Sequence, residues 1–151
     1  MNQALNMDGG IHEIPVPALA GRLWLCGKHF IGPDHAAVLQ RVGASHVVCL
    51  VREGELRGRY DEYVTWLQTS NCSTWYPIHD LSSPPLEEIL PLYQGVIDRL
   101  RRSESVIAHC AAGIGRAGTL AVAVCQLAGM PLDEALRHVR QHRPGAGPGQ
   151  Q

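Results

Sequence analysis

Apolar residues along this chain fall into short runs that alternate with longer segments of helical spacing. The short runs, rich in β-branched and aromatic residues, predict strands at residues 21–27, 44–51, 73–78 and 105–109. The segments with helical spacing predict helices at 33–43, 60–70, 86–102, 115–129 and 131–144. This alternation predicts an α/β fold: a single domain in which helices flank a central, mostly parallel sheet of four to five strands.

The two ends of the chain are rich in glycine and proline, unlike its middle. We therefore expect an irregular N-terminal segment over 1–20, one domain over 21–144 and a loose C-terminal tail over 145–151. In parallel sheets, ligands bind at the carboxyl ends of the strands. The loops that follow the predicted strands at 73–78 and 105–109 are therefore the places where we expect chemistry.

Composition and charge narrow the class of function. The chain has 151 residues, 45% of them hydrophobic, and a formal net charge of −1. So weak a field does not recruit nucleic acid or anionic lipid, and we expect neither as a partner. The longest apolar run is too short to cross a bilayer, and the N-terminus lacks the pattern of a signal peptide. We therefore expect a cytoplasmic protein. Its five cysteines include no Cys-x-x-Cys pair, and we expect all but Cys110 to be buried core residues.

The stretch VIAHCAAGIGRAGT, residues 106–119, places a cysteine and an arginine around a glycine-containing loop between a strand and a helix. In this arrangement consecutive backbone N–H groups and the positive end of the helix favour an anion. Such dipoles lower the pKa of a cysteine thiol, and an arginine fork matches two oxygens of a tetrahedral anion. This arrangement predicts that Cys110 attacks a phosphorus atom held by Arg116 and forms a phosphocysteine intermediate. The residues expected to hold the phosphate are His109, Ala111, Ala112, Gly113, Ile114 and Gly115.

The sequence HCAAGIGRAGT resembles the His-Cys-x5-Arg signature of the cysteine-dependent protein tyrosine phosphatases. The chain is similar in size and in element order to the small atypical dual-specificity phosphatases, over roughly residues 21–144. The resemblance implies a phosphatase that needs neither a metal nor another cofactor. It implies a phosphorylated protein or peptide as substrate, with phosphotyrosine first and phosphoserine or phosphothreonine also possible. It also implies that His109 orients the loop by hydrogen bonding.

The resemblance further implies a general acid, which in this family is usually an aspartate about thirty residues before the cysteine. Asp80, in the loop sequence YPIHDLSSPP, lies at that spacing from Cys110. It would protonate the leaving oxygen and then deprotonate water. The alternative is an aspartate that only caps a loop, with Asp61 and Glu87 as weaker substitutes for the acid. His79 stands where the family often has a proline, and we expect it to perturb the acid or to contact the substrate.

The chain departs from the family pattern directly after the signature arginine. Ala117 stands where the family usually has a serine or threonine whose hydroxyl bonds the cysteine sulfur, and Thr119 is a doubtful replacement. We therefore expect slow breakdown of the phosphocysteine. The glutamine that positions water in some relatives has no clear match, and Gln150 and Gln151 are weak candidates.

Other functions stay open at this point. Relatives with the same loop act on phosphoinositides or on RNA 5′-triphosphates, but the variable positions Ala111, Ala112 and Ile114 carry no positive charge. Ala117 supports a second possibility, a module that binds phosphate without turning it over. The presence of Cys110, Arg116 and Asp80 together disfavours it. The low-molecular-weight phosphatases carry such a loop near the N-terminus, and the rhodanese group lacks this glycine pattern.

The remaining candidate residues have simpler interpretations. His138 and His142 have the spacing of a metal-binding pair, but three arginines surround them, which favours a solvated basic face; these are Arg137, Arg140 and Arg143. Cys49 is either an inert core thiol, which we favour, or a disulfide partner for the nucleophile, as in some relatives. Core positions are expected for Trp24, Trp66 and Trp75. Arg52 and Glu53 either line the cleft or pair with each other in solvent.

Overall fold

The computed structural model describes residues 10–80 and 82–148. The strands are β1 (His12–Ile14), β2 (Leu23–Gly27), β3 (His46–Cys49), β4 (Ser73–Trp75) and β5 (Val106–Cys110). The helices are α1 (Lys28–Ile31), α2 (His35–Val42), α3 (Asp61–Thr69), α4 (Leu86–Arg101), α5 (Arg116–Leu127) and α6 (Leu132–His142). A 3-10 turn, Glu53–Glu55, lies between β3 and α3.

The strands form one mixed sheet in the order β1-β2-β5-β3-β4. β1 runs antiparallel to β2, and the other neighbours are parallel. β5 occupies the centre, and all of its residues are buried, as expected for a strand covered on both faces. α5 packs against β5 and contacts α4 and α6. The predicted α/β fold with a mostly parallel sheet is confirmed.

Local sequence signals explain several of the helix boundaries. The Asp34 carboxylate accepts a hydrogen bond from the Ala37 N–H at 3.1 Å and so caps the start of α2. Gly43 ends the same helix with φ +70°, a left-handed conformation that glycine adopts without steric cost. All five helices predicted from spacing are present, and their ends lie within a few residues of the expected positions.

Two elements were not predicted. β1 lies inside the expected irregular segment, so the description of 1–20 as irregular is wrong for residues 12–14. α1 occupies a stretch to which no structure had been assigned. Both elements are too short to leave a periodic pattern. β1 exists because it pairs with β2 and buries Ile14 completely.

The C-terminal segment is also more ordered than expected where it is described. Ala146 is fully buried, and the Gly147 N–H donates to the Ile114 carbonyl at 3.0 Å. The expectation of a loose tail is therefore wrong for residues 145–148. Gln150 and Gln151 lie outside the described residues. Beyond these corrections, the division into 1–20, 21–144 and 145–151 stays a prediction.

Burial corrects two further expectations. Trp24, Trp66 and Trp75 are half-buried and pack against the core instead of filling it. Cys72 is exposed, whereas the other cysteines are buried and all five are free thiols. Within the described residues, no helix combines the length and the apolar composition needed to cross a membrane.

Candidate active site

The carboxyl edge of the sheet brings the predicted site residues together. β5 ends at Cys110, the loop 111–115 follows, and α5 begins at Arg116. Because β5 lies between β2 and β3, the loop stands at the centre of this edge. The N-terminus of α5, which carries a partial positive charge, faces the same point. The predicted succession of strand, loop and helix is therefore present.

Cys110 lies at the floor of the loop, with 2% of its surface exposed. The backbone N–H of Ala117 donates a hydrogen bond to its Sγ at 3.4 Å. An N–H aimed at sulfur stabilises the thiolate, which is the nucleophilic form. Ala117 has no hydroxyl to add, and the Thr119 hydroxyl donates to the Gly115 carbonyl at 2.8 Å. Thr119 therefore does not supply the missing hydroxyl.

Arg116 is held in one orientation by buried acceptors. Its side chain is 2% exposed. Nη1 donates to Glu55 Oε2 at 2.9 Å and to the Ile78 carbonyl at 2.8 Å, and Nη2 donates to Glu55 Oε1 at 2.9 Å. Nε is buried and has no hydrogen-bond partner among residues 10–80 and 82–148. A buried N–H of a cation without an acceptor costs free energy.

Glu55 was missed by the sequence analysis, which considered Arg52 and Glu53 instead. Burial raises the pKa of the Glu55 carboxyl, but the hydrogen bonds from Arg116 and from the Arg52 backbone outweigh it and leave the pKa below its usual value. Glu55 is therefore ionised at neutral pH and balances the charge of Arg116. The one sequence feature that could have indicated Glu55 is its position, because it follows β3 at the carboxyl edge of the sheet. Glu53 points elsewhere and pairs with Arg57 at 2.8 Å.

Asp80 reaches the site from the loop after β4. Its Oδ1 lies 3.8 Å from Arg116 Nη2, and its side chain is 58% exposed. The carboxylate is thus close to the Arg116 guanidinium and open to solvent. Asp61 instead accepts a hydrogen bond from the Gly58 N–H at 2.6 Å, and Glu87 is exposed in the first turn of α4.

His109 lies behind the loop and is fully buried. Its Nδ1 lies 3.3 Å from the Cys110 carbonyl oxygen and its Nε2 lies 2.6 Å from the Tyr63 hydroxyl. Burial lowers the pKa of His109 to about 4, so the ring is neutral at pH 7. A carbonyl oxygen only accepts, so Nδ1 carries the proton and Tyr63 donates to Nε2. His109, grouped above with the phosphate-holding residues, therefore offers no group to an anion in the loop.

Arg143 contacts the outer side of the loop. Its Nη2 donates to the Ala112 carbonyl at 2.7 Å and its Nε to the Gly113 carbonyl at 2.8 Å. Arg143 is 2% exposed, so its assignment to a solvated basic face is wrong, although Arg137 and Arg140 are exposed. Sequence analysis misplaced it because nothing near it in the chain signals its partners, which lie some thirty residues earlier.

In the histidine pair of α6, one ring nitrogen of each histidine is engaged by a backbone carbonyl. His138 Nε2 is hydrogen-bonded to the Pro15 carbonyl at 2.6 Å, and His142 Nδ1 to the His138 carbonyl at 2.8 Å. Across residues 10–80 and 82–148, no three His, Cys, Asp or Glu side chains converge as metal ligands would. Cys49 is fully buried, and burial raises the pKa of its thiol to about 12, as an inert core cysteine requires.

A groove of about 420 Å³ opens beside the site, between the 3-10 turn and the Asp80 loop. Its lining includes Arg52 and His79 together with Glu55 and Asp80. Arg52 thus takes the cleft-lining position that the sequence left open. His79 is exposed, and its Nδ1 lies 2.9 Å from the Asp80 carbonyl oxygen.

Comparison with known proteins agrees with this geometry. Residues 25–146 match the family described as "PTP-SAK: Swiss Army Knife protein, DSP-PTPase phosphatase domain". Human dual specificity protein phosphatase 16 is 37% identical over 67 residues, which cover 41% of this chain. That match spans 10% of the human protein's length.

Solved structures share the fold over nearly the whole chain. A crystal structure of Tk-PTP in the active form has a TM-score of 0.71 and 29% identity, covering 91% of this chain and 88% of that chain. Kinase associated phosphatase with a serine in place of its catalytic-site cysteine has a TM-score of 0.74, covering 92% and 86%. At 15% identity, the second likeness concerns the fold alone.

Proposed function

Because the chain belongs to the DSP-PTPase phosphatase domain family, we propose that it hydrolyses phosphate monoesters through a phosphocysteine intermediate. In this proposal Cys110 is the nucleophile, Arg116 binds the phosphate, and Asp80 is the general acid and then the general base. The backbone N–H groups of residues 111–116 form the phosphate cradle. The reaction uses no metal or other cofactor.

The observation that best supports the proposal is the Nε of Arg116, which has no acceptor among the described residues. It is a buried donor on a permanent cation, next to a loop whose floor is a cysteine. Glu55 holds both terminal nitrogens, so the guanidinium is oriented before any ligand arrives. A phosphoryl oxygen in the loop would accept from Nε and satisfy it. Such preorganised donors stabilise the charge that develops on the equatorial oxygens during transfer.

The proposed reaction consists of two displacements at phosphorus. Cys110 Sγ attacks the phosphorus atom, the bond to the ester oxygen breaks, and Asp80 gives its proton to that oxygen. The products of this step are the free alcohol or phenol and a phosphocysteine. Asp80, now a carboxylate, accepts a proton from water as the water oxygen attacks phosphorus. The S–P bond breaks, inorganic phosphate forms, and the thiolate and the protonated acid are restored.

The substrate we propose is a phosphorylated protein or peptide, with phosphotyrosine first and phosphoserine or phosphothreonine also accepted. Ala111, Ala112 and Ile114, the variable positions of the cradle, carry no charge. This disfavours phosphoinositides and RNA 5′-triphosphates, which carry several negative charges. The proposed location is the cytoplasm.

The proposal is tested by hydrolysis of p-nitrophenyl phosphate in the presence of EDTA. We expect wild-type turnover and no turnover for Cys110→Ser. Asp80→Asn should lower kcat by roughly 10²–10⁴, the usual contribution of a general acid. Glu87→Gln removes an exposed carboxylate outside the site and should behave like the wild type. Turnover that survives in Cys110→Ser, or that EDTA abolishes, would overturn the proposal.

A phosphate-binding module that does not turn over is the second candidate, and Ala117 favours it. Ala117 offers no hydroxyl to the departing thiolate and the Thr119 hydroxyl is bonded to the Gly115 carbonyl, which would make the second displacement too slow for a catalyst. A wild-type protein that binds inorganic phosphate but hydrolyses no aryl phosphate would establish this function. Turnover of many substrate molecules per chain would exclude it.

A further inference from the structure

Arg143 connects the loop after Cys110 to the N-terminal strand. On one side it donates to the carbonyls of Ala112 and Gly113. On the other side its Nη1 donates to the Gly10 carbonyl at 3.0 Å and to His12 Nδ1 at 2.7 Å. Arg143 itself ends α6, so three separate parts of the chain meet at one guanidinium.

His12 can take part only as an acceptor. Arginine donates hydrogen bonds and accepts none, so His12 Nδ1 must be unprotonated. Burial, together with the charge of Arg143, lowers the pKa of His12 and keeps it in that form. β1 is fixed to β2 by backbone pairing, which places Gly10 and His12 at defined positions beside α6. β1 and the residue two positions before it therefore present two acceptors that orient Arg143.

The orientation of Arg143 matters because of what it does to the loop. Its hydrogen bonds draw the Ala112 and Gly113 carbonyls to the outer side. A peptide plane with its carbonyl turned outward turns the following N–H inward, which is the arrangement that binds an anion. Gly113 has φ +74°, and an added Cβ would lie 2.8 Å from Arg143 Nη2. The loop and the arginine are thus fitted closely to each other.

We propose that the N-terminal segment, through Gly10 and through His12 of β1, positions the phosphate cradle by orienting Arg143. The inference rests on the proposed use of this loop to bind phosphate. It assigns a role in the site to a segment that touches neither Cys110 nor the substrate. His12 and Arg143 are positioning residues in this scheme: they set the direction of the cradle N–H groups.

The experiment measures phosphate binding in the full-length chain without relying on turnover. The readout is the protection of the Cys110 thiol from iodoacetamide by inorganic phosphate. The protection constant is compared among variants that are shown to be folded to the same extent. His12→Leu removes the acceptor, and we expect about tenfold weaker protection, the typical effect of losing a hydrogen bond to a charged group. His12→Asn places an oxygen near the Nδ1 position and should restore most of the protection.

His138→Leu is the matched control. It removes a different side-chain hydrogen bond to the N-terminal segment, the one to the Pro15 carbonyl, and leaves the hydrogen bonds of Arg143 in place. We expect it to lower Tm about as much as His12→Leu without weakening phosphate protection. In an Arg143→Met background, adding His12→Leu should weaken protection no further, because both changes act through the same guanidinium.

Two results would overturn the inference. One is equal phosphate protection in His12→Leu and wild type. The other is equal weakening by His12→Leu and His138→Leu, which would reduce β1 to a general contribution to stability. Failure of the proposed function gives a different pattern, since phosphate would then protect Cys110 in no variant, wild type included.

Discussion

Replacing Glu55 by glutamine removes the negative charge that faces Arg116 and leaves the size of the side chain unchanged. Two hydrogen bonds of 2.9 Å join the carboxylate to the guanidinium, whose side chain is 2% exposed. Glutamine can accept one of these bonds but not both. The variant therefore holds a buried cation without its counter-charge and with one acceptor fewer.

The size of the effect follows from burial. Two unit charges about 4 Å apart attract by roughly 4 kcal/mol at an effective dielectric constant near 20. Removing one partner of a fully buried pair costs about 3–5 kcal/mol. The Glu55 side chain is 23% exposed, so water reaches part of the gap and the glutamine oxygen offsets more. We expect the free energy of unfolding to fall by about 2–3 kcal/mol.

Function should suffer as well, because Arg116 loses the carboxylate that holds both of its terminal nitrogens. A misplacement of about 1 Å at a reacting group can cost about 10² in rate, and we expect kcat/KM for an aryl phosphate to fall by about that factor. Urea unfolding gives the stability change, and steady-state kinetics with phosphate inhibition gives the functional change. Both are measured near pH 7, where Glu55 is ionised.

Glu53→Gln is the control for this variant. Glu53 lies in the same 3-10 turn, but its partner is the exposed Arg57, and it should leave stability and kinetics nearly unchanged. If Glu55→Gln matched Glu53→Gln in both measurements, the pairing with Glu55 would not be what orients the Arg116 guanidinium, and Arg116 would not be held ready for phosphate as proposed.

Ala117→Ser adds a hydroxyl beside the nucleophile and should speed phosphocysteine breakdown, so the burst of phenol release seen by stopped flow should shrink; an unchanged burst would contradict this. Gly113→Ala puts a Cβ 2.4 Å from the Cys26 carbonyl at a φ of +74°, and should lower Tm and abolish phosphate binding; wild-type binding would refute the cradle geometry. His46 and His109 are buried, and burial lowers the pKa of each from 6.5 to about 4. As the pH falls, these histidines therefore take up protons in the unfolded chain before they do so in the folded one. The free energy of unfolding should fall between pH 6.5 and 4 by up to about 1.4 kcal/mol per pH unit for each histidine. Urea unfolding across this range should show a shallower fall for His46→Gln.

The main elements of the fold and the centre of the site are predictable because their causes are local. β5 has a continuous apolar run, and the residues that follow it include the glycines that let the loop turn. Cys110 and Arg116 lie six positions apart, so one short segment contains both. Asp80 is also accessible to prediction, because the strand before it ends at the same edge of the sheet.

Glu55, Arg143 and β1 could not be predicted because their roles depend on distant partners. Glu55 meets Arg116 across 61 positions of sequence, and in the chain it looks like any carboxylate of a charged surface loop. Arg143 lies among arginines that face solvent. It is buried only because the fold places it against the loop that contains Ala112. β1 has three residues, too few to form a pattern, and is stabilised by pairing with β2.

A phosphocysteine at Cys110 can be detected directly. The wild-type protein is quenched within the first turnover of p-nitrophenyl phosphate, and its peptides are analysed by mass spectrometry. If Cys110 is the nucleophile, one phosphoryl group is found on the peptide that contains Cys110, present before steady state and absent in Cys110→Ser. Release of nitrophenol with no phosphorylated enzyme, or with the phosphoryl group on another residue, would contradict it.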